Sequence, residues 1–416
     1  MTSQHVVIIG AGAIGTASAW YLRKAGWSVT LIDKDQQGRG ATSGNCGLYS
    51  PSHALPLAGP GAVRETMHAL FRTGSPLSIR PRIDLRLWAW LWRFAMRCND
   101  KDMRDAAPGR EALIRSSGSL YRELRDQDGL EMQWQNKGCL MIYREAQGLE
   151  AHGKNAALIE ELFGTRARLM GAPELEAFEP ALLPGKSAGA WFYEGDCHMR
   201  PEALLASWRE RLIEAGVQIL DACEARSFVR QGRSARALTT NQGDLSADAF
   251  VLATGAWTPK LEKELGVAIP IQPGKGYSLT MKRPALTPER PLIFEEDKVV
   301  ATPFEDGYRL GSTMEFAGYD SKIRPGRLAL LEKAARYYLR DPVADPVRED
   351  WYGWRPMTPD GKPILDRAPR IDNLLIAAGH NMLGLTMAPA TGKLVSEMLS
   401  GTETHIDPRP YSLSRF

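Results

Sequence analysis

Residues 6–34, VVIIGAGAIGTASAWYLRKAGWSVTLIDK, constrain the fold more than any other stretch of the chain. Val6 to Ile9 is a continuous apolar run, as expected of a strand buried on both faces of a parallel sheet. Gly10, Gly12 and Gly15 follow as G-x-G-x-x-G. Ala13 to Ala25 suits one helix, with Gly26 as its stop. Val29 to Ile32 predicts a second buried strand that ends in Asp33, about twenty residues past the glycines. The first glycine permits a tight turn, the second lets a pyrophosphate approach the backbone, and the third lets the helix pack on the strand. The free N–H groups and positive dipole end of the helix attract phosphate. Asp33 can accept a ribose hydroxyl, and its charge would repel a 2′-phosphate, which argues against NADP. The unit predicts dinucleotide binding without separating NAD from FAD.

The 416 residues leave room for two or three domains. A net charge of +3 implies no general affinity for nucleic acid. The opening MTSQH has no basic segment followed by an apolar core, so no secretory signal is expected. Asn373 to Gly392 lacks Asp, Glu, Lys and Arg, but His380, Asn381, Thr386, Pro389 and its glycines read as strand, loop and helix rather than a membrane span. The five cysteines are odd in number and show no metal or redox spacing, so a reduced cytoplasmic setting and no metal are expected.

Further strand signals at Val217 to Leu220, Ala249 to Ala253 and Asn373 to Ala377 lie far apart, two of them ending in small residues or glycine. Ligands of doubly wound sheets sit at such carboxyl ends. The expected fold class is α/β (α+β overall). It combines a Rossmann-like dinucleotide-binding domain, built from discontinuous segments 1–80, 195–270 and 350–416, with an antiparallel-sheet substrate domain from 81–194 and 271–349. Helical spacing appears at Leu113 to Leu124 and Leu328 to Leu339, and strand patterns at Gly138 to Tyr143, Ala188 to Tyr193, Tyr277 to Met281, Val299 to Thr302 and Tyr308 to Gly311. Linkers are expected near Pro173 to Pro184, Pro270 to Pro273 and Pro342 to Pro346.

Four segments together carry a resemblance: GAGAIG; ATSGNCGLYSP at 41–51; GWRPMTPDGKPIL at 353–365; and AAGHNMLGLTMAPATGKLVSEMLSG at 377–401. Over essentially its whole length the chain resembles the FAD-dependent amine and amino-acid oxidoreductases that include D-amino-acid oxidase, glycine oxidase and sarcosine oxidase. Within them it is most similar to the bacterial D-amino-acid dehydrogenase small subunits. The resemblance implies FAD as cofactor. By the same carry-over Ala13, Ile14 and Gly15 would cradle the pyrophosphate, and Asp33, beside Lys34, would bind the ribose. Thr42, Ser43, Asn45, Gly47 and Leu48 would lie along the flavin, while Ala225, Thr254 and Gly255 would close the adenine side. Gly379, Gly384, Leu385 and Thr386 would face the flavin from a helix N-terminus.

Oxidation of an amino acid by flavin moves a hydride from Cα to N5, so the carboxylate must be held and water excluded. Arg355, set among Trp351, Tyr352, Trp354 and Met357, needs an anionic partner and falls on the family's carboxylate-binding arginine. The family's second carboxylate contact, a tyrosine, falls near Val299, leaving Tyr277 as a substitute candidate or a core residue. His380 can contact flavin or substrate, or serve structure. The implied reaction is oxidative deamination of a D-amino acid, with D-proline or D-hydroxyproline as cyclic candidates. The implied electron acceptor is a quinone or another respiratory acceptor. A peroxide-forming oxidase, an NAD-dependent dehydrogenase and a non-catalytic flavin-binding protein stay open as alternatives. Ile79 to Met96, IRPRIDLRLWAWLWRFAM, interleaves arginine with tryptophan, which fits either an amphipathic helix packed on the substrate domain or a peripheral contact with the inner face of the cell membrane.

Overall fold

Strand β1 (His5–Ile9) buries four of its five residues, and its neighbours explain why. It lies inside a six-stranded sheet of order β19 (Ile364–Ala368), β20 (Ile371–Ala378), β13 (Ala249–Leu252), β1, β2 (Ser28–Ile32), β9 (Gln218–Leu220). Five strands run parallel, and β19 closes one edge antiparallel to β20. Ile9 pairs with both Ile32 and Leu252, so Gly10, Asp33 and Ala253 leave the sheet along one edge. The computed structural model describes residues 4–35, 40–70 and 74–416; residues 1–3 of the opening MTSQH lie outside them.

Helices α1 (Ala13–Lys24), α4 (Asp100–Asp126), α7 (Pro201–Glu214) and α10 (Gly384–Ser400) stack on one face of this sheet. A Cβ at Gly392 of α10 would fall 2.5 Å from the Ala17 carbonyl carbon, so α1 and α10 touch backbone to backbone. Leu113, Ile114, Leu120, Tyr121 and Leu124 of α4 share a core with Val6, Ile8 and Leu385. Helix α4 thus lies in the segment expected for the substrate domain yet covers the parallel sheet. Its periodicity marks an apolar face but not the surface that the face covers.

The second large sheet has nine strands. Along its path run β18 (Val347–Met357), β14 (Gln272–Met281), β17 (Tyr308–Phe316), β16 (Val299–Pro303), β15 (Leu292–Phe294), β5 (Cys139–Tyr143), β7 (Gly189–Tyr193) and β6 (Arg168–Gly171), with β4 (Leu77–Ile79) attached to β17. It is mostly antiparallel, as expected, but β15–β5 and β17–β4 are parallel. Side chains alternate between its faces. Tyr277, Leu279, Phe294, Val299 and Leu310 pack under α9 (Pro325–Tyr338). Met141, Tyr143, Ile293 and Val300 occupy the other face with Cys46 and Leu48.

Smaller sheets are β10 (Ala225–Gln231), β11 (Ser234–Thr240) and β12 (Gly243–Ser246), and the pair β3 (Leu48–Tyr49) and β8 (Cys197–His198). The remaining helices are α2 (Ala62–Leu70), α3 (Leu85–Arg97), α5 (Ala146–Phe163), α6 (Ala172–Phe178) and α8 (Glu262–Leu265). Two expected linkers are partly regular structure: Pro173 lies in α6, which ends at Phe178 before an irregular stretch through Pro184, and Pro273 lies in β14, which begins after Pro270. The stretch from Pro342 to Pro346 is an irregular connection between α9 and β18.

Candidate functional site

The glycine motif shows how the first wall of the site is built. Gly10 has φ +105°, and a Cβ there would sit 2.5 Å from the Ala253 oxygen. A Cβ at Gly15 would meet the Gly10 oxygen at 1.8 Å, so only glycine lets α1 start this close to the strands. Gly12 differs: within 4 Å its Cβ would meet only Thr42 Oγ1, at 3.5 Å, and the residue lines a cavity of about 2450 Å3. Helix α1 has no side-chain cap, and its first amide, Ala13 N–H, donates to Thr42 Oγ1 at 3.2 Å. Asp33 accepts from Ala11 N–H at 2.7 Å and Asp35 N–H at 3.0 Å, while burial raises its carboxyl above the usual range. Ile14 and Lys34 line the same cavity, with the Lys34 ammonium 3.6 Å from the Trp257 ring centre. Ala225, Thr254 and Gly255 close the cavity on this side.

The loop from 41 to 48 forms the next stretch of wall through Thr42, Ser43, Asn45 and Leu48. Gly47 stands behind it, with φ +76° and no room for a Cβ against the Met199 oxygen at 2.1 Å. What fixes the loop is Arg309, whose side chain is fully buried. Its Nη1 donates to the Ser43 and Asn45 carbonyls at 2.9 and 2.7 Å, its Nε to Thr280 Oγ1 at 2.9 Å, and its Nη2 to the Glu202 carboxylate. Cys46 Sγ packs where a Cβ on Gly311 would lie, and burial raises its thiol despite the nearby Arg355 and Arg309. Packing is therefore its role, as the sequence suggests.

Arg355 projects from β18 across β14. A Cβ at Gly276 would lie 2.7 Å from its Cζ, Nη1 and Nη2 alike, so the guanidinium rests flat on that glycine. Its Nη1 donates to the Thr313 carbonyl at 2.6 Å. That carbonyl belongs to a β-bulge, where Thr313 and Met314 together oppose Gly276 between the pairs Lys275–Glu315 and Tyr277–Ser312. Ser312 and Thr313 have φ +104° and +49°, each costing on the order of 1–3 kcal/mol. Burial lowers the Arg355 pKa, yet the group stays charged at any ordinary pH. Among the described residues no carboxylate lies within ion-pair distance of it. A half-buried cation left without an anion marks a site for one.

Helix α10 supplies the opposite wall. It begins at Gly384 without a side-chain cap, and Gly384 and Leu385 line the cavity. Its first-turn amides and dipole are therefore available to negative charge. Thr386 stands behind this edge, with its hydroxyl donating to the Leu48 carbonyl at 2.9 Å. Pro389 lies inside the helix and cannot donate to the Leu385 carbonyl; Tyr121 OH does so instead, at 2.6 Å. Gly379, φ +82°, also stands behind the lining, against Thr358. Asn381 joins α10 to β18: its N–H donates to the Pro356 carbonyl at 3.1 Å, its Oδ1 accepts from Thr358 N–H at 3.0 Å, and its Nδ2 donates to Thr358 Oγ1 at 2.9 Å.

Two expected catalytic residues meet different surroundings. Tyr277 points to the sheet face opposite Arg355, because its Cβ alternates with that of Gly276; its hydroxyl donates to Glu315 at 2.6 Å. Its ring belongs to the core under α9 and also borders the cavity, with the hydroxyl engaged by Glu315. His380 does line the cavity, but its Nε2 is engaged with Thr391 Oγ1 at 3.0 Å, and burial lowers its pKa to about 3. A neutral imidazole held this way is wall, not a charge or a titrating base near neutral pH. Sequence reasoning missed Arg309, Asn381 and the Ser312–Thr313 bulge. Only the glycine-rich strand around Gly274 and Gly276 hinted that a bulky group lies over it.

Two uncapped helix starts, an acidic acceptor and a glycine-walled cavity fit an extended dinucleotide carrying a pyrophosphate. The comparisons agree. A family model described as FAD dependent oxidoreductase matches residues 5–398. The chain is similar to the D-amino acid dehydrogenase of Chromohalobacter salexigens, 33% identical over 424 residues that cover 99% of each chain. That of Granulibacter bethesdensis is 31% identical, with 99% of each chain covered. Among solved structures, glycine oxidase from Geobacillus kaustophilus superposes with a TM-score of 0.80 at 23% identity over 100% of both chains. L-proline dehydrogenase from P. horikoshii gives 0.73 at 20%, covering 99% and 98%. These last two likenesses speak for the fold.

Proposed function

The chain belongs to the family of FAD-dependent oxidoreductases, and from that premise we propose that it oxidises a D-amino acid whose carboxylate is anchored by Arg355. The FAD-dependent oxidative deamination of amino acids is the activity that this family membership and the dehydrogenase relatives support together. The single observation that carries the anchoring role is a guanidinium lying on Gly276, inside the dinucleotide cavity, without a carboxylate partner among the described residues.

Bound FAD supplies the two-electron oxidant that takes a hydride from Cα. Everything else falls to the chain. Gly12, Ala13 and the α1 terminus hold the pyrophosphate, and Asp33 the ribose. Arg355 sets the distance and angle of Cα through a bidentate grip on the carboxylate. The N-terminus of α10 would offer uncapped amides and a positive dipole end to negative charge on the bound cofactor. Trp351, which occupies the space that a Cβ on Gly44 would need, seals the loop against β18 and keeps water out. The amine can arrive deprotonated, and no side chain is assigned as general base. The imine that results hydrolyses to a 2-oxo acid; a cyclic amine such as D-proline yields a cyclic imine.

Anaerobic mixing of the purified holoenzyme with D-, L- and N-methyl amino acids tests this. Bleaching of the flavin band by D-amino acids is expected; no bleaching by any amino acid would refute the reading. Stoichiometric peroxide in air would mark an oxidase instead.

The acceptor we assign is a membrane quinone, with α3 as the contact. Among the described residues no helix is long and apolar enough to cross a membrane. The inner face of α3 buries Leu87 and Trp90, the latter donating through Nε1 to the Met357 carbonyl. Its outer face leaves Leu85, Trp88, Trp92 and Met96 56–82% exposed. These residues recur at helical spacing beside exposed Arg86 and Arg93, a pattern that suits an anionic bilayer surface.

A further inference from the structure

The cavity continues past Arg355 along the same face of the nine-stranded sheet, and its far end carries ionisable groups that the reaction does not use. Its floor is apolar: Val300, Ile293 and Met141 on β16, β15 and β5. By strand alternation Glu295, two residues after Ile293, shares that face, and so does Lys298, two before Val300. Lys298 Nζ meets Glu295 Oε2 at 2.7 Å, while Glu295 Oε1 has no hydrogen-bond partner among the described residues. His53 lines the same cavity, near enough for its charge to act on Glu295. Its Nδ1 is engaged by Ser52 Oγ at 2.8 Å, and Ser52 Oγ in turn donates to the buried Asp196 at 2.6 Å. Its Nε2 has no partner among the described residues, and the ring lines the cavity.

We propose that Glu295, Lys298 and His53 form a subsite that selects amino acids bearing a hydroxyl on the side chain. The inference rests on Arg355 as the carboxylate anchor. The ion pair is close to neutral overall, so it does not demand a charged ligand. It offers an acceptor oxygen beside a donor ammonium, and a hydroxyl is a donor and an acceptor at one atom. An ammonium ligand could satisfy only Glu295, and a carboxylate ligand only Lys298. His53, kept neutral by burial with a pKa of about 4, adds a further polar contact without adding charge.

The spacing is consistent. Arg355 is bonded to Thr313 on β17; Val299 pairs with Ser312 of β17, and Phe294 pairs with Val299. Glu295 therefore stands two strands from the carbonyl that Arg355 binds, about 10 Å at the usual strand separation. A carboxylate and a hydroxyl about 5 Å apart, with a hydrogen bond of about 2.8 Å at each end, span the same distance. That places the hydroxyl near the γ carbon, and the apolar floor beneath Cβ and Cγ suits a short aliphatic or cyclic body.

The test is anaerobic flavin reduction of the holoenzyme with matched pairs: D-homoserine and D-2-aminobutyrate, 4-hydroxy-D-proline and D-proline. The γ-hydroxylated member should exceed its deoxy partner in kcat/KM by about tenfold or more, since the site's polar groups are otherwise left unpaired. Glu295→Leu and Lys298→Met should bring that ratio close to one; Glu295→Gln, of the same shape, should keep part of it. The flavin-to-protein absorbance ratio verifies that each variant is folded and loaded. A deoxy partner that reduces the flavin as fast as its hydroxylated counterpart would overturn the subsite and leave the proposed function standing. So would a preference unmoved by both Glu295→Leu and Lys298→Met. Absence of reduction by every amino acid would overturn both.

Discussion

The guanidinium of Arg355 lies against the backbone of Gly276, at a distance where any Cβ would collide with it. The residue on one strand therefore fixes the posture of the residue on its neighbour. Gly276→Ala should lift the guanidinium off β14 and raise the KM for the amino acid by about tenfold or more, as expected when a positioning group moves by about 1 Å. Flavin content should be unchanged, because Gly276 is not part of the dinucleotide cradle. Stopped-flow reduction across substrate concentration measures this, and an unaltered KM would refute it.

Removing the cation itself should cost more. Arg355→Ala is expected to lose about 2–5 kcal/mol of transition-state binding. Arg355→Lys should recover only part of this, since an ammonium offers no planar fork to a carboxylate. Unchanged substrate KM and turnover in Arg355→Ala would rule the anchor out.

Arg309 should behave differently, as a fastener of the 41–48 loop. Arg309→Met leaves two loop carbonyls without their donor, at about 1–3 kcal/mol each, while Glu202 keeps its ion pair with Arg200. The expected outcome is a lowered Tm together with flavin lost on gel filtration. A variant that keeps both would show that the loop holds itself.

A pH effect follows from Asp196, whose carboxyl is raised to about 7 by burial. In the unfolded chain an aspartate titrates near about 3.9. Between those values the folded protein retains a proton that the unfolded chain has released. The contribution of this group to stability is therefore full below about pH 3.9 and is lost as pH rises through about 7, at about 1.4 kcal/mol per pH unit. Asp196→Asn should flatten that part of the curve of Tm against pH. Parallel curves for the two proteins would contradict the assignment.

For α3, Trp88→Glu with Trp92→Glu should abolish co-sedimentation with anionic liposomes at low salt. Absence of liposome binding by the unmodified protein would dispose of the membrane contact altogether.

Much of this molecule can be read from the chain because its signals are local. Gly10, Gly12, Gly15 and Asp33 act within one strand–helix–strand unit, and that unit folds as its spacing predicts. Arg355 stands out because a charge among tryptophans needs a reason. Tyr277 is ambiguous for an equally physical cause: β14 is buried on both faces, so its pattern carries no mark of which face meets the cavity. Arg309 looks like any other arginine until Ser43, Asn45 and Glu202, more than a hundred residues away, are brought to it. The bulge at Ser312 and Thr313 is invisible for the same reason, since two residues facing one is a property of a pairing, not of a strand.

The backbone contact between Ala17 and Gly392 has a consequence in time. The glycine motif is translated well before the partner that braces its helix. A growing polypeptide on the ribosome thus carries a half-built nucleotide grip for most of its synthesis. The grip is complete only once the segment that carries Gly392 has docked on the one that carries Ala17.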